Sequence, residues 1–266
     1  MNYKIKIFYS NNMKKHDESS RFLQQALKQC GAPVSVNENG SSAVNIARPL
    51  RGRPYAPDAP WINFSVTHTG SMWICAAAQT PAPLTRRKDA AKAARTSAQL
   101  VRTAQQPVAI PPAVGIDAEY ADRRLLHTEK IAEKYFSQKE KQYLQERGAA
   151  SGRAPLPTKK QNPCPADTAP DNKQASKDNA GFIKMWTMKE AYLKMLGTGI
   201  TDDAKNSCTL SDHDVCFLTG EPARRLENEL SAAAGRQIIL SLCFIPGCSG
   251  APQENTEPEL EILQLY

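Results

Sequence analysis

The chain has no pair of cysteines at the CxxC spacing, and its seven cysteines are an odd number. These features argue against a structural zinc site or a complete set of disulfides, and they favour reduced thiols in a cytoplasmic protein. No run approaches the roughly 18 apolar residues that would indicate a membrane-spanning helix, so we expect no membrane association. The first ten residues alternate lysine with apolar side chains, which predicts a strand rather than a signal peptide.

The composition is typical of a globular protein, with 41% hydrophobic and 23% charged residues in a chain of 266. The formal net charge of +7 favours an acidic partner, which could be a phosphate-rich ligand, a nucleic acid or an acidic protein. A basic nucleic-acid-binding protein is therefore one alternative. However, six of the basic residues lie within residues 81–110, where no aromatic side chain is interleaved to stack on bases. We therefore expect no nucleic-acid partner.

Hydrophobic periodicity predicts a mixed α/β chain interrupted by two unusual segments. Residues 81–110 form a basic low-complexity insertion, and residues 148–180 form an insertion too polar to order itself by burying apolar surface. Without them, two compact βα-containing halves meet near residue 112, which predicts subdomains at 1–111 and 112–266. Strands are predicted at "YKIKI", "WINFSVTH", "MWICAAAQ", "PAVGIDAEY", "QIILSLCFI" and "ELEILQLY", and helices at "DESSRFLQQALKQC", "RRLLHTEKIAEKYF", 137–144 and from about 182.

Two carboxylates in "GIDAE" are candidate metal ligands. Asp117 and Glu119 are two residues apart on a predicted strand, so both side chains point to one face. Neighbouring carboxylates repel each other, and a hard cation such as Mg²⁺ would keep both ionised. The alternative is a pair of exposed strand residues with no ligand.

The segment "WTMKEAYLKMLGTGI" predicts a helix that carries more charge than packing requires. Glu190 and Lys194 are four residues apart and therefore share a helix face. They form either an ordinary surface ion pair or part of a reactive site. In "SQKE", Ser137 and Glu140 have the spacing of a capping box, which explains Glu140 without any catalytic role.

Two further segments suit phosphate or nucleotide binding. In "FSVTHTG", Thr67 and His68 could present hydrogen-bond donors to a phosphate, although a lone histidine near a turn is commonly structural. In "RGRPYAPDAP", Arg53 precedes Pro54 in a rigid, extended loop, which is either a connector or a wall for a flat base.

Together these segments resemble the 4′-phosphopantetheinyl transferases of the broad-specificity, pseudodimeric class, often called Sfp-like. The matching blocks are "GRPYAPDAPWINFSVTHTG", "VGIDAE", "KYFSQKE" and "WTMKEAYLKMLGTG". The resemblance implies an α+β fold of two similar α/β subdomains, related by a pseudo-twofold axis, with the active site in the cleft between them. Ser65 departs from the family pattern, which has asparagine there, and threonines stand at 67 and 69 in place of serines.

The implied reaction moves phosphopantetheine from coenzyme A to a serine of an acidic apo carrier protein and releases 3′,5′-ADP. The resemblance implies that the enzyme is a monomer and that its metal is Mg²⁺, with Mn²⁺ as an alternative. Either Glu190, or Glu140 through a water molecule, would take the serine proton, while Lys194 would stabilise the leaving group. The implied metal ligands are Asp117, Glu119 and Glu190, and the implied coenzyme A contacts are Arg21, Arg53, Pro54, Thr67, His68, Asp117 and Lys194.

Two other functions fit parts of the pattern. Another Mg²⁺-dependent phosphoryl or phosphodiester enzyme could use the same carboxylates, but it would leave "GRP" and "THTG" without a joint purpose. A non-catalytic carrier-protein-binding relative would have no need of Asp117, Glu119, Glu190 and Lys194, all of which are present.

Overall fold

The computed structural model describes residues 4–11, 13, 16–36, 40–50, 52–80, 113–124, 127–150, 172–212, 214–245 and 258–265. The strands are β1 Lys4–Ser10, β2 Ser35–Val36, β3 Ser42–Ala43, β4 Ile62–Thr69, β5 Met72–Gln79, β6 Val114–Tyr120, β7 Cys216–Phe217, β8 Ile238–Phe244 and β9 Glu259–Gln264. The helices are α1 His16–Gln29, α2 Thr128–Tyr135, α3 Gln138–Ala150, α4 Asn172–Leu196 and α5 Gly220–Ala234, with a 3-10 helix at Asp202–Asn206.

The strands form two principal sheets. The first has the order β4-β5-β1-β9, in which β5 is antiparallel to both neighbours and β9 runs parallel to β1. The second is antiparallel with the order β6-β8-β7, and β2 and β3 form a separate short pair. Because β4 and β6 are edge strands of different sheets, the place where they meet joins the two sheets.

A two-residue turn, Gly70–Ser71, connects β4 to β5, so Thr67, His68 and Thr69 lie on the strand rather than in the turn. Gly70 has a φ of +56°, and a Cβ there would lie 2.9 Å from the Tyr120 ring. Both features favour glycine, since L side chains rarely adopt this φ. The turn of the first sheet therefore packs directly against the end of β6.

One hydrophobic cluster spans both sheets. It contains Ile5 and Ile74 from the first sheet, Ile116 and Leu240 from the second, and Leu226 of α5. A second cluster lies between α1 and the other face of the first sheet. Each fully buried aliphatic side chain stabilises the folded state by about 1.5–3 kcal/mol. The first cluster, which both sheets share, therefore holds the two sheets, and with them β4 and β6, against each other.

Helix α4 packs closely on β6 at Gly115. A Cβ at this position would lie 1.9 Å from the Ala191 carbonyl oxygen and 2.8 Å from the Met195 Cβ. Real Cβ atoms never approach a backbone atom this closely, so only glycine allows the contact. The glycine of "VGIDAE" thus sets the distance between β6 and the α4 face that carries Glu190 and Lys194.

The predicted strands and helices are present, with some changes in their bounds. Helix α2 begins at Thr128, because His127 adopts a left-handed backbone conformation with φ 62°. Helix α3 continues to Ala150 and α4 begins at Asn172, so both ends of the predicted 148–180 insertion are helical. Adding residues to an existing helix costs far less than nucleating one, and "NKQASKDNA" contains mostly adequate helix formers. Residues 81–112 and 151–171 lie outside the described residues.

Strand β9 belongs to the second half of the chain but pairs with β1 of the first. It therefore crosses the boundary predicted near residue 112, and the subdomain limits stay a prediction. Among the described helices, none combines the length and the apolar character needed to cross a bilayer.

Candidate active site

Three side chains of β4 point at β6 and hold the two strands together. The Ser65 Oγ accepts a hydrogen bond from the Ile116 backbone N–H at 3.1 Å. Thr67 donates to Asp117 Oδ1 at 2.7 Å, and Thr69 donates to Glu119 Oε2 at 3.1 Å. The period of two on each strand produces this pairing, and it confirms that both carboxylates lie on one face of β6.

Asp117 lies opposite two charged residues of α4. Its side chain is only 5% exposed, and Lys194 Nζ donates to Asp117 Oδ1 at 2.6 Å. The same ammonium lies 3.7 Å from Glu190 Oε2. Lys194 therefore bridges a carboxylate of the strand and a carboxylate of the helix, and Glu190 and Lys194 face the site rather than bulk solvent.

Glu119 is paired with a different cation. The guanidinium of Arg123, in the turn that follows β6, donates from Nη1 to Glu119 Oε1. The Thr69 hydroxyl contacts the other oxygen of the same carboxylate. Both Glu119 oxygens are thus engaged, and the Glu119 side chain is 12% exposed while that of Arg123 is 51% exposed.

The ionisation of Glu190 is strongly perturbed. Burial raises the pKa of Glu190 to about 7, and the negative charge of Asp117 acts in the same direction. Lys194 and, more weakly, Arg123 lower the pKa of Glu190. The side chain can therefore gain or lose a proton near neutral pH, which is the property required of a general base.

The predicted metal ligands Asp117, Glu119 and Glu190 offer only hard carboxylate oxygens, which suits Mg²⁺. Within the residues that the structure describes, however, no group of three or more His, Cys, Asp or Glu side chains is placed to hold a metal ion. In this arrangement Lys194 lies beside Asp117 and Glu190, and Arg123 pairs with Glu119. The donor chemistry fits the ion, and its binding stays a prediction.

Two adjoining cavities lie next to this cluster. The larger, of about 380 Å³, is lined mainly by Arg53, three prolines and the side chains of Tyr55, Ile62 and Phe64. The smaller, of about 230 Å³, is lined by Arg53, Pro54, Phe64, Lys194 and the glycines 52, 197 and 199, among others. Arg53 Nη1 also donates to the Met195 carbonyl at 3.3 Å, which holds the "GRP" loop against the end of α4.

Two predicted coenzyme A contacts lie elsewhere. His68 follows Thr67 on β4, so its side chain points away from Asp117; it is exposed and stacks on Trp73 with ring centroids 4.7 Å apart. Arg21 is exposed on α1, and among the described residues it makes no hydrogen bond or ion pair with the other predicted site residues. The roles predicted for both stay predictions.

Glu140 is completely buried and fully engaged in hydrogen bonds. It accepts two bonds from Lys189 Nζ, at 3.2 and 3.0 Å, and two from the Thr209 backbone N–H and hydroxyl, at 2.9 and 2.8 Å. The Ser137 N–H donates at 2.8 Å and the Glu140 N–H donates to the Ser137 hydroxyl at 3.4 Å, so the predicted capping box is confirmed. These contacts favour a structural role, and the catalytic role of Glu140 stays an untested prediction.

Two charged residues of this region were not among the predicted site residues. Lys189 is fully buried between Glu140 and the Ser207 carbonyl, a contact between residues 49 positions apart that no local pattern reveals. Arg123 had a local signal, since it follows Glu119 by four residues. In a strand that ends at Tyr120, however, that spacing does not by itself bring two side chains together.

The comparison with protein families identifies one match. The family described as the 4′-phosphopantetheinyl transferase superfamily matches residues 113–241, just under half of the chain. Among curated proteins, no match was found. The matched range includes the residues of the charged cluster, which are Asp117, Glu119, Arg123, Glu190 and Lys194.

Proposed function

We propose that the chain is a 4′-phosphopantetheinyl transferase that moves phosphopantetheine from coenzyme A to a serine of an apo carrier protein and releases 3′,5′-ADP. The observation that carries the proposal is the contact of Lys194 with both Asp117 and Glu190 beside a cavity that Lys194 also lines. The match of residues 113–241 to the superfamily supports phosphopantetheine transfer in general. The broad-specificity, pseudodimeric class is part of the proposal.

The two cavities supply a binding site for coenzyme A. The larger has mostly apolar walls with prolines 54, 57 and 60, which suit a flat base, and burial lowers the pKa of Arg53 at its edge. The smaller lies between this base site and Lys194, with glycines that let a ligand approach the backbone. In this arrangement the pyrophosphate lies against Lys194 and the nucleotide against Arg53 and Pro54.

Asp117 and Glu190, with Glu119, would hold a divalent ion. Bound there, magnesium supplies charge neutralisation of the pyrophosphate oxygens. Thr67 orients the Asp117 carboxylate through its 2.7 Å hydrogen bond, and Thr69 does the same for Glu119 at 3.1 Å. The threonine hydroxyls are therefore assigned to orienting the carboxylates, in addition to the predicted coenzyme A contact of Thr67.

Glu190 is our candidate for the general base. Its carboxylate lies 3.7 Å from the Lys194 ammonium that lines the smaller cavity, so it faces the place where the attacking serine would meet coenzyme A. The Lys194 ammonium, which lies in the smaller cavity, stabilises negative charge on the departing ADP phosphate. Glu140 is the alternative base, but its oxygens are already occupied by Lys189, Thr209 and Ser137.

The carrier protein is the proposed partner, and acidic carriers complement the net charge of +7. The basic insertion at residues 81–110, which lies outside the described residues, would add long-range attraction. Deletion of residues 84–107 should then lower kcat/KM for the carrier at low salt, with a smaller loss at high salt. An unchanged salt profile would show that the insertion does not steer the carrier.

The test of the function is direct. The purified chain is mixed with coenzyme A, Mg²⁺ and an apo carrier, and intact mass is used to detect the phosphopantetheinyl adduct. Asp117→Ala and Glu190→Ala should each reduce adduct formation by at least about 100-fold. Glu221→Ala, which removes an exposed carboxylate of α5, is the matched control and should retain wild-type activity.

Two outcomes would contradict the proposal. Full activity in Glu190→Ala would remove Glu190 from the reaction. Cleavage of coenzyme A at the same rate with and without the carrier, and without any adduct, would favour the phosphodiester enzyme instead.

A further inference from the structure

Two cationic side chains are interleaved with the three carboxylates of the site. Lys194 lies between Asp117 and Glu190, at 2.6 and 3.7 Å. Arg123 pairs with Glu119. Each carboxylate that is proposed to hold the metal thus already has a cation of the chain beside it. The cluster carries three negative and two positive formal charges, so these pairs offset part of the repulsion that a divalent ion would otherwise relieve.

The two cations differ in their surroundings. The Lys194 side chain is 28% exposed, lines the smaller cavity and is assigned to the pyrophosphate. Arg123 is 51% exposed, lies in the turn after β6 and lines neither cavity. Arg123 therefore pairs with the Glu119 carboxylate without a part in the proposed transfer chemistry.

We propose that Arg123 is an internal counter-cation that competes with the divalent metal for Glu119 and so sets the metal affinity of the site. This inference rests on the proposed function, because that function requires the metal. Mg²⁺ demands near-ideal octahedral oxygen geometry and binds carboxylate lone pairs directly. Both Glu119 oxygens are engaged, by Arg123 and by the Thr69 hydroxyl. A metal that approaches Glu119 on its Oε1 side therefore competes with the guanidinium, which can turn into solvent from its half-exposed position.

The experiment measures metal binding itself rather than turnover. Mg²⁺ is titrated by calorimetry into the full chain without coenzyme A, for wild type, Arg123→Gln, Arg123→Lys and Arg225→Gln. Arg225 is an exposed arginine of α5, and its replacement controls for the loss of one positive charge. Thermal unfolding of each variant verifies that it is folded.

We expect Arg123→Gln to bind Mg²⁺ about threefold to fivefold more tightly than wild type, the range that a partly exposed ion pair provides. Arg123→Lys and Arg225→Gln should stay within about twofold of wild type. The gain in Arg123→Gln should shrink at high salt, because the competing pair is partly exposed and therefore screened.

Three results would overturn the inference: equal or weaker Mg²⁺ binding in Arg123→Gln, an equal gain in Arg225→Gln, or no Mg²⁺ binding by any variant. The transfer assay separates these from failure of the proposed function. If wild type forms the carrier adduct with Mg²⁺ while Arg123→Gln binds Mg²⁺ no better than wild type, the role of Arg123 is wrong and the transferase stands. If no variant forms the adduct at any Mg²⁺ concentration, the transferase is wrong as well.

Discussion

Lys189 and Glu190 are consecutive residues of α4, yet they lie in two very different electrostatic environments. Lys189 is fully buried and donates to both oxygens of Glu140 and to the Ser207 carbonyl. Glu190 is partly exposed, and its nearest cation is 3.7 Å away. Successive residues of a helix are rotated by about 100°, so the first faces α3 while the second faces β6.

The Lys189–Glu140 pair holds α4 in place, whereas the carboxylate of Glu190 is only partly compensated by neighbouring cations. Every oxygen of Glu140 is hydrogen-bonded, so the Lys189 pair fixes α4 against α3 and the turn at Thr209. Glu190 keeps a raised pKa because burial and Asp117 outweigh its cations. A charge that is incompletely compensated can take up a proton or a ligand, whereas a saturated one cannot.

The largest expected effect comes from breaking the buried pair. Lys189→Met should lower the free energy of unfolding by about 3–5 kcal/mol, because it leaves the Glu140 carboxylate buried without a cation. Denaturant-induced unfolding measures this change. The double variant Lys189→Met/Glu140→Leu should recover a substantial part of the loss, since no charge then stays buried. A cost below about 1 kcal/mol in the single variant would show that the pair does not hold α4.

A smaller effect on stability, with a larger one on activity, is expected on the other side of α4. Gly115→Ala places a methyl group 1.9 Å from the Ala191 carbonyl oxygen, so α4 must shift away from β6. We expect a loss of about 2–3 kcal/mol and nearly complete loss of transfer, because Asp117 and Glu190 separate. Stability and adduct formation are measured on the same preparation.

Gly181→Ala is the matched control for that variant. Gly181 lies in α4, and a Cβ there meets nothing within 4 Å. This change should keep full activity and stabilise the protein by up to about 1 kcal/mol through helix propensity. If Gly115→Ala were as harmless as Gly181→Ala, the close contact of α4 with β6 would be unnecessary for the site.

The smallest expected effect comes from removing the incompletely compensated charge of Glu190. The pKa of Glu190 is about 7 in the folded protein against an ordinary 4.5. Between pH 4.5 and 7 the folded chain therefore keeps a proton on Glu190 that the unfolded chain has lost. Stability is therefore lost as the pH rises through this window. In chelator, Glu190→Gln should raise Tm by about 2–4 °C at pH 8 and leave it unchanged near pH 4.5.

The control for this comparison is Glu133→Gln, which replaces an exposed glutamate of α2. It should not change Tm appreciably at either pH. A Tm difference between Glu190→Gln and wild type that is independent of pH would show that the charge of Glu190 is not the cause.

The sequence predicted what depends on local periodicity and missed what depends on distant packing. Alternation along β6 placed Asp117 and Glu119 on one face, and the spacing of Ser137 and Glu140 predicted the capping box; both are confirmed. The same alternation separates Thr67 from His68, although the resemblance had assigned both to one ligand.

Long-range contacts were beyond such reasoning. The partner of Lys189 lies 49 residues away, and the bridge from Lys194 to Asp117 spans 77. The threonine contacts across β4 and β6 span 50 residues and join two different sheets. The packing of α4 on β6 brings Lys194 to Asp117, and its mark in the sequence is Gly115, whose role is evident only when the helix is in place.

Strand β9 has a consequence for how this chain is made. β1 is synthesised first, but its parallel partner Glu259–Gln264 follows more than 240 residues later. During translation the β1 edge stays open, with unpaired backbone groups that invite pairing with other nascent chains. Completion of the described part of the first sheet therefore waits for β9, and a chain truncated before β9 would leave the β1 edge open to other chains.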